Sequence, residues 1–95
     1  MNNYVILIGR IVNELIIDSN TKNCEITMAI NRAFKNEDGI YETDFIPVTL
    51  KKSIATNVVE YCKKGDLVGI RGRIARINEP MQIIADKVTF LSSKN

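Results

Sequence analysis

The residues of this chain best suited to act on a partner are aromatic and cationic, and the chemistry they suggest is non-covalent. Phe34 lies between Arg32 and Lys35 in the run Asn31-Arg32-Ala33-Phe34-Lys35-Asn36. A ring flanked by cations is what a stacking platform needs: the ring holds a planar group by its face, and the charges hold anions on either side. The polar neighbours of Phe34 argue against a place in the core. Phe45 is out of phase with Ile46, Val48 and Leu50. If those three fill the interior, Phe45 points outward, and an exposed phenylalanine calls for a reason. Tyr41, beside an acidic turn, can either stack on a partner or cover the turn. Arg71 and Arg73 share the face opposite Val68, Ile70 and Ile74, so both project outward from one segment. Lys51 and Lys52 add charge just after the Phe45 segment. For these four cations the plain alternative is a solvated rim.

Covalent and metal chemistry find little to work with. The chain has no histidine, which removes the commonest general base and the commonest zinc ligand. Cys24 and Cys62 lie far apart, outside any CxxC spacing, and have no obvious activator; they read as two small buried hydrophobes in a reducing cytosol. Glu37, Asp38, Glu42 and Asp44 form an acidic group, but its spacing follows no metal-loop pattern, so it reads as charge at the tip of a hairpin. No catalytic residue, metal site or cofactor is expected.

The elements that must position these residues are mostly strands. Tyr4-Val5-Ile6-Leu7-Ile8 is continuously apolar. Glu25 to Asn31 alternates, with Ile26, Met28 and Ile30 on one face. Asp38-Gly39 supplies a turn. Phe45 to Leu50 alternates again, and Pro47 within it argues for an edge or a bulge. From Ser53 to Lys64 the period becomes helical: Ile54, Ala55, Val58, Tyr61 and Cys62 share a face, Ser53 can cap the start and Gly65 suits the exit. Strands resume over Asp66 to Ile77 and from about Met81 to Leu91. Tyr61 and Phe90 fall on apolar faces and are expected in the core. Three strands, a short helix and two strands are the order of the five-stranded OB barrel, an all-β Greek-key fold.

The bulk properties agree with one small domain. The chain has 95 residues, is 45% hydrophobic and 25% charged, and carries a net charge of +2. The charge is uneven: Lys63, Lys64, Arg71, Arg73 and Arg76 face a single Asp66 between positions 63 and 76. There is no signal-peptide pattern and no apolar run long enough to span a membrane, so a cytoplasmic protein is expected. The domain is expected over residues 1–91, with 92–95 as a short tail.

Across nearly its whole length the chain resembles the bacterial single-strand-binding protein family. The resemblance is carried by Asn3 to Ile11, by Ala29 to Lys35 with Glu42 to Val48, by Ala55 through Tyr61-Cys62-Lys63-Lys64-Gly65-Asp66, by Gly69 to Ile74, and by Ile84 to Leu91. It implies a homo-oligomer of OB folds, usually a tetramer, although a dimer is also open. Such proteins coat single-stranded DNA without sequence preference, in replication, recombination or repair. It places Phe34 and Phe45 at stacking positions and favours Arg71 and Arg73 as phosphate contacts. Lys51 stands where the family often has another aromatic. The alternative is a primosome accessory or protein-interaction module with weak or no DNA binding. An acid-cluster phosphodiesterase is disfavoured by the missing histidine.

Two further expectations concern assembly and extent. In Tyr4 to Ile8, Val5 and Leu7 can fill the barrel while Tyr4, Ile6 and Ile8 stay outside, as a patch that meets a second copy. The connection Ile77-Asn78-Glu79-Pro80-Met81 is shorter than the family's long aromatic hairpin, and the family's acidic C-terminal tip has no counterpart after Asp86. A shorter DNA path and no tail-mediated recruitment are therefore expected.

Overall fold

A computed structural model describes residues 1–76 and 80–92. The chain forms β1 (Val5–Ile11), β2 (Cys24–Lys35), β3 (Tyr41–Leu50), α1 (Lys52–Tyr61), β4 (Leu67–Ala75) and β5 (Gln82–Phe90). The strands close into one barrel in the order β1-β2-β3-β5-β4. All strand pairs are antiparallel except β3 with β5. This is the expected order of elements, with the helix between the third and fourth strands. Residues 77–79 and 93–95, which carry most of the short connection and of the tail, lie outside the described residues.

Alternation fixes which side chains enter the barrel. Ile26 and Met28 on β2, Val48 and Leu50 on β3, Val68 and Ile70 on β4, and Ile84 on β5 are all buried, with Ile11 at the end of β1. Burying an aliphatic side chain of this kind is worth about 1.5–3 kcal/mol. The helix closes one end through Ala55 and Val58. Cys24 and Cys62 are buried within this core and are not joined in a disulfide.

Four local expectations are corrected. The helix starts at Lys52 with Lys51 as its N-cap residue and has no side-chain cap, so Ser53 does not cap it. The helix ends at Tyr61, and Gly65 (φ 97°) turns the chain beyond it, donating its N–H to the Ile11 carbonyl (2.7 Å). Tyr61 and Phe90 are not core residues: they remain 49% and 40% exposed and lie against each other, ring centroids 6.1 Å apart. Ile74, expected in phase with Val68 and Ile70, is 45% exposed, although the alternation of β4 continues through the buried Gly72 and the register shift at Arg71/Gly72 places its extra residue on β5. At that shift Gly72 packs so closely on β5 that an added Cβ would lie 2.3 Å from the Ile84 carbonyl oxygen.

Two asparagine side chains extend the ladders. The Asn3 amide donates to the Ile74 carbonyl (2.7 Å) and its oxygen accepts from the Ile74 N–H (3.0 Å), adding a rung before β1 begins. Asn13 does the same on β2, donating to the Glu25 carbonyl (3.0 Å) and accepting from the Thr27 N–H (2.7 Å).

Candidate nucleic-acid interface

β2 and β3 form a hairpin whose far half carries most of the expected site. Its tip is built by Asn36, whose Oδ1 accepts from the N–H groups of Asp38 and Ile40, and by Gly39 at φ 77°. Both strands run further than their alternation alone indicated, to Lys35 and from Tyr41. Direct cross-strand partners share a face. Ala29 faces Phe45, Asn31 faces Thr43 and Lys35 faces Tyr41. Odd-numbered β3 residues thus place Tyr41, Thr43 and Phe45 on one surface. Phe45 is 64% exposed and Phe34 is 85% exposed. The Lys35 ammonium lies over the Tyr41 ring, 5.7 Å from its centroid. The Thr43 hydroxyl donates to Asn31 Oδ1 (2.7 Å) between the two ring positions. An open ring surface with a cation beside it can stack planar bases and hold a phosphate.

The opposite surface of the same hairpin is polar and self-paired. Arg32 donates from Nε and Nη2 to the Asp44 carboxylate (3.1 and 3.0 Å) and from Nη1 to Glu42 (2.6 Å). The hydrogen bonds with Asp44 hold the Arg32 guanidinium above its ordinary value, and the same bonds hold the Asp44 carboxyl below the usual carboxylate range. The expected acidic tip is therefore partly neutralised by a residue expected to contact DNA.

The remaining expected residues lie elsewhere. Lys51 and Lys52 are exposed at the exit of β3, six and seven residues past Phe45. At 3.2–3.4 Å per residue this is about 20 Å, so they do not join the hairpin cluster. Arg71 and Arg73 are both exposed on β4, as expected. Arg73 is ion-paired with Asp86, whereas Arg71 makes no ion pair among the described residues.

Tyr4, Ile6 and Ile8 are exposed on the outer face of β1, while Val5 and Leu7 turn inward. Ile6 is opposite Arg71, which is opposite Lys87; Ile8 is opposite Gly69, which is opposite Thr89. These rows, with Leu91, line a shallow depression of about 270 Å³. β1 pairs with β2 only at Arg10 and Ile11, so no strand pairs with the other edge of Val5 to Gly9 among the described residues. Lys87 was missed from the sequence; only the register of β4 against β5 sets it beside Arg71.

A closed five-stranded barrel with this helix, carrying an aromatic and cationic hairpin surface, defines an OB-fold protein. The comparisons narrow the class: residues 2–91 match the Single-strand binding protein family, and the chain belongs to it. It is 35% identical to Single-stranded DNA-binding protein B of Bacillus subtilis (strain 168), covering 99% of this chain and 94% of that protein. It is equally 35% identical to the Single-stranded DNA-binding protein of Streptococcus mutans, of which it covers 65%. The fold is shared with the Plasmodium falciparum SSB in complex with ssDNA (TM-score 0.77, 20% identity, 97% of each chain). It is shared as well with Rim1, a mitochondrial single-stranded DNA binding protein of S. cerevisiae (TM-score 0.74, 20% identity, 99% of this chain and all of that one).

Proposed function

We propose that the chain binds and coats single-stranded DNA without sequence preference, serving replication, recombination or repair, and catalyses no reaction. The observation that carries this reading is the far half of the β2–β3 hairpin, where Phe45 shares a surface with Tyr41 and Lys35, and Phe34, next to Lys35 in the chain, presents a second open ring. Base–aromatic stacking tolerates any sequence because every base has a π-face. Arg71 and Lys87, adjacent on β4 and β5, supply a second cationic patch for phosphates. The absence of histidine and the family's binding role support a non-enzymatic protein.

The active form is a homo-oligomer, a tetramer in our reading, joined through the outer face of β1. The exposed Tyr4, Ile6 and Ile8 and the unpaired edge of Val5 to Gly9 support that assembly. No helix of the described chain is long and apolar enough to cross a membrane, and we place the protein in the cytoplasm.

The second reading, an interaction module with weak or no DNA binding, is favoured by one observation: Arg32 and Arg73 are both committed to carboxylates. Titrating a labelled oligo-thymidine at two salt concentrations separates the two. A single-strand binder that neutralises Z phosphates gives a log–log slope of about −0.7Z. A flat dependence with negligible affinity would favour the module.

A further inference from the structure

We propose that Arg32 is a positioning residue that braces the stacking surface from behind and does not itself hold a phosphate. The inference rests on the reading that the hairpin binds single-stranded DNA. It begins with the ladder between β2 and β3. Pairing is regular from Cys24↔Leu50 to Asn31↔Thr43, resumes at Lys35↔Tyr41, and shifts register between. Three residues of β2, Arg32 to Phe34, thus lie opposite the single Glu42 of β3, and the regular ladder is interrupted there. Arg32 lies within that interruption, as does Phe34.

Side-chain bonds replace the missing rungs. All three guanidinium nitrogens of Arg32 donate to β3 carboxylates, two to Asp44 as a fork and one to Glu42. The other oxygen of Glu42 accepts from Asn36 Nδ2 (3.1 Å), and Asn36 organises the tip. One continuous path of polar bonds therefore runs from the turn, across the bulge, to Asp44 at the barrel's rim. Glu42 and Asp44 alternate along β3 with Tyr41, Thr43 and Phe45. Holding the even-numbered residues fixes the rotation of the strand, and so sets where the Tyr41 and Phe45 rings face.

Charge argues in the same direction. A phosphate taking Arg32 would have to free two carboxylates and then sit beside them. Lys35, on the stacking surface and without an ion pair among the described residues, meets no such opposition. The fork also explains why arginine is needed: a planar guanidinium spans two carboxylates, whereas an ammonium is a point charge.

The test is a mutant cycle on the full chain, read by oligo-thymidine affinity, by its salt slope and by amide exchange of β3 in the free protein. Arg32→Gln should weaken binding about threefold to tenfold, the scale of one or two exposed ion pairs. The salt slope should not change, the thermal midpoint should hold, and the amides of residues 41–45 should exchange faster. Arg32→Lys keeps the charge and should behave like Arg32→Gln. In a Glu42→Gln/Asp44→Asn background the brace is already gone, so Arg32→Gln should cost less than about twofold more. Wild-type affinity in Arg32→Lys, a slope reduced by about 0.7 in Arg32→Gln, or an equal loss in both backgrounds would overturn the proposal. If the wild type fails to bind oligo-thymidine, the functional reading falls. The exchange measurement then judges the brace alone, and unchanged exchange would overturn that too.

Discussion

Ile6 and Arg71 stand directly opposite each other on β1 and β4, on the same outer face of the barrel. One is an apolar residue suited to meet a second copy, and the other is a cation suited to meet DNA. A shared face means that the assembly and the phosphate contact we propose would meet along one border, with Lys87 completing the row. In the assembly we propose, Arg71 stands at the rim of the contact between copies, where a strand passing from one barrel to the next would run.

Ile6→Lys therefore has two expected effects. It puts a charge into the apolar strip of Tyr4, Ile6 and Ile8, so light scattering should report single chains or the protein should become insoluble. The monomers should also lose the part of DNA affinity that depends on a strand crossing between copies. A wild-type mass equal to one chain would end the assembly reading.

The two arginines of β4 should differ. Arg71→Gln should reduce the magnitude of the salt slope by about 0.7, one phosphate contact on a single strand. Arg73 already shares its charge with Asp86, so Arg73→Gln should change the slope less. Titrations in increasing salt decide this, and equal slopes for the two variants would show that the ion pair yields to DNA. Loss of affinity for one base composition only would contradict a phosphate role for either.

Phe34→Ala and Phe45→Ala should each weaken binding by about 1–3 kcal/mol, the range of a base–aromatic contact. Both rings are largely exposed, so thermal midpoints should hold. The chain has no tryptophan, and a labelled oligonucleotide supplies the signal. Unchanged affinity in the double variant would remove the hairpin from the site.

Gly72→Ala should destabilise the barrel without touching the hairpin. The new methyl would meet backbone, 2.3 Å from the Ile84 oxygen, and backbone has little room to move. Overpacking of this kind costs about 1–3 kcal/mol, which urea unfolding would read as a lower midpoint.

The Asp44 carboxyl is held low by its hydrogen bonds and charge pairing with Arg32. A group whose pKa is depressed by folding contributes stability that is full above its unfolded value and is lost as pH falls through the folded one. The hairpin brace should therefore be intact at neutral pH and fail only below the ordinary carboxylate range. Carboxyl NMR should show Asp44 titrating lower in the wild type than in Arg32→Gln. Identical titration curves would mean that the pair does not persist in solution.

The barrel was legible because its strands obey a simple rule: one face apolar, the other polar, as in Ile26, Met28, Val48 and Leu50. The outward placement of Phe45, Arg71 and Arg73 followed from the same parity. What misled was geometry that parity cannot carry. Ile74 keeps the parity of Val68 and Ile70 yet lies near the end of β4, where it is 45% exposed. Helical spacing put Tyr61 with Ala55 and Val58, but a ten-residue helix capping the end of a barrel buries only its middle. The carboxylate partners of Arg32, ten and twelve residues away, could not be read from the sequence because they are neighbours only through the hairpin register.

The first rung of the barrel is made by a side chain. Asn3 copies the donor and acceptor of a peptide group and grips both polar atoms of Ile74. Conversion of Asn3 to aspartate would leave an oxygen to accept from the Ile74 N–H but set a second, negative one against the Ile74 carbonyl. The entrance to the barrel thus hangs on one side-chain amide: Asn3→Asp would fray the strand just ahead of Tyr4 and Ile6 while the core stays packed.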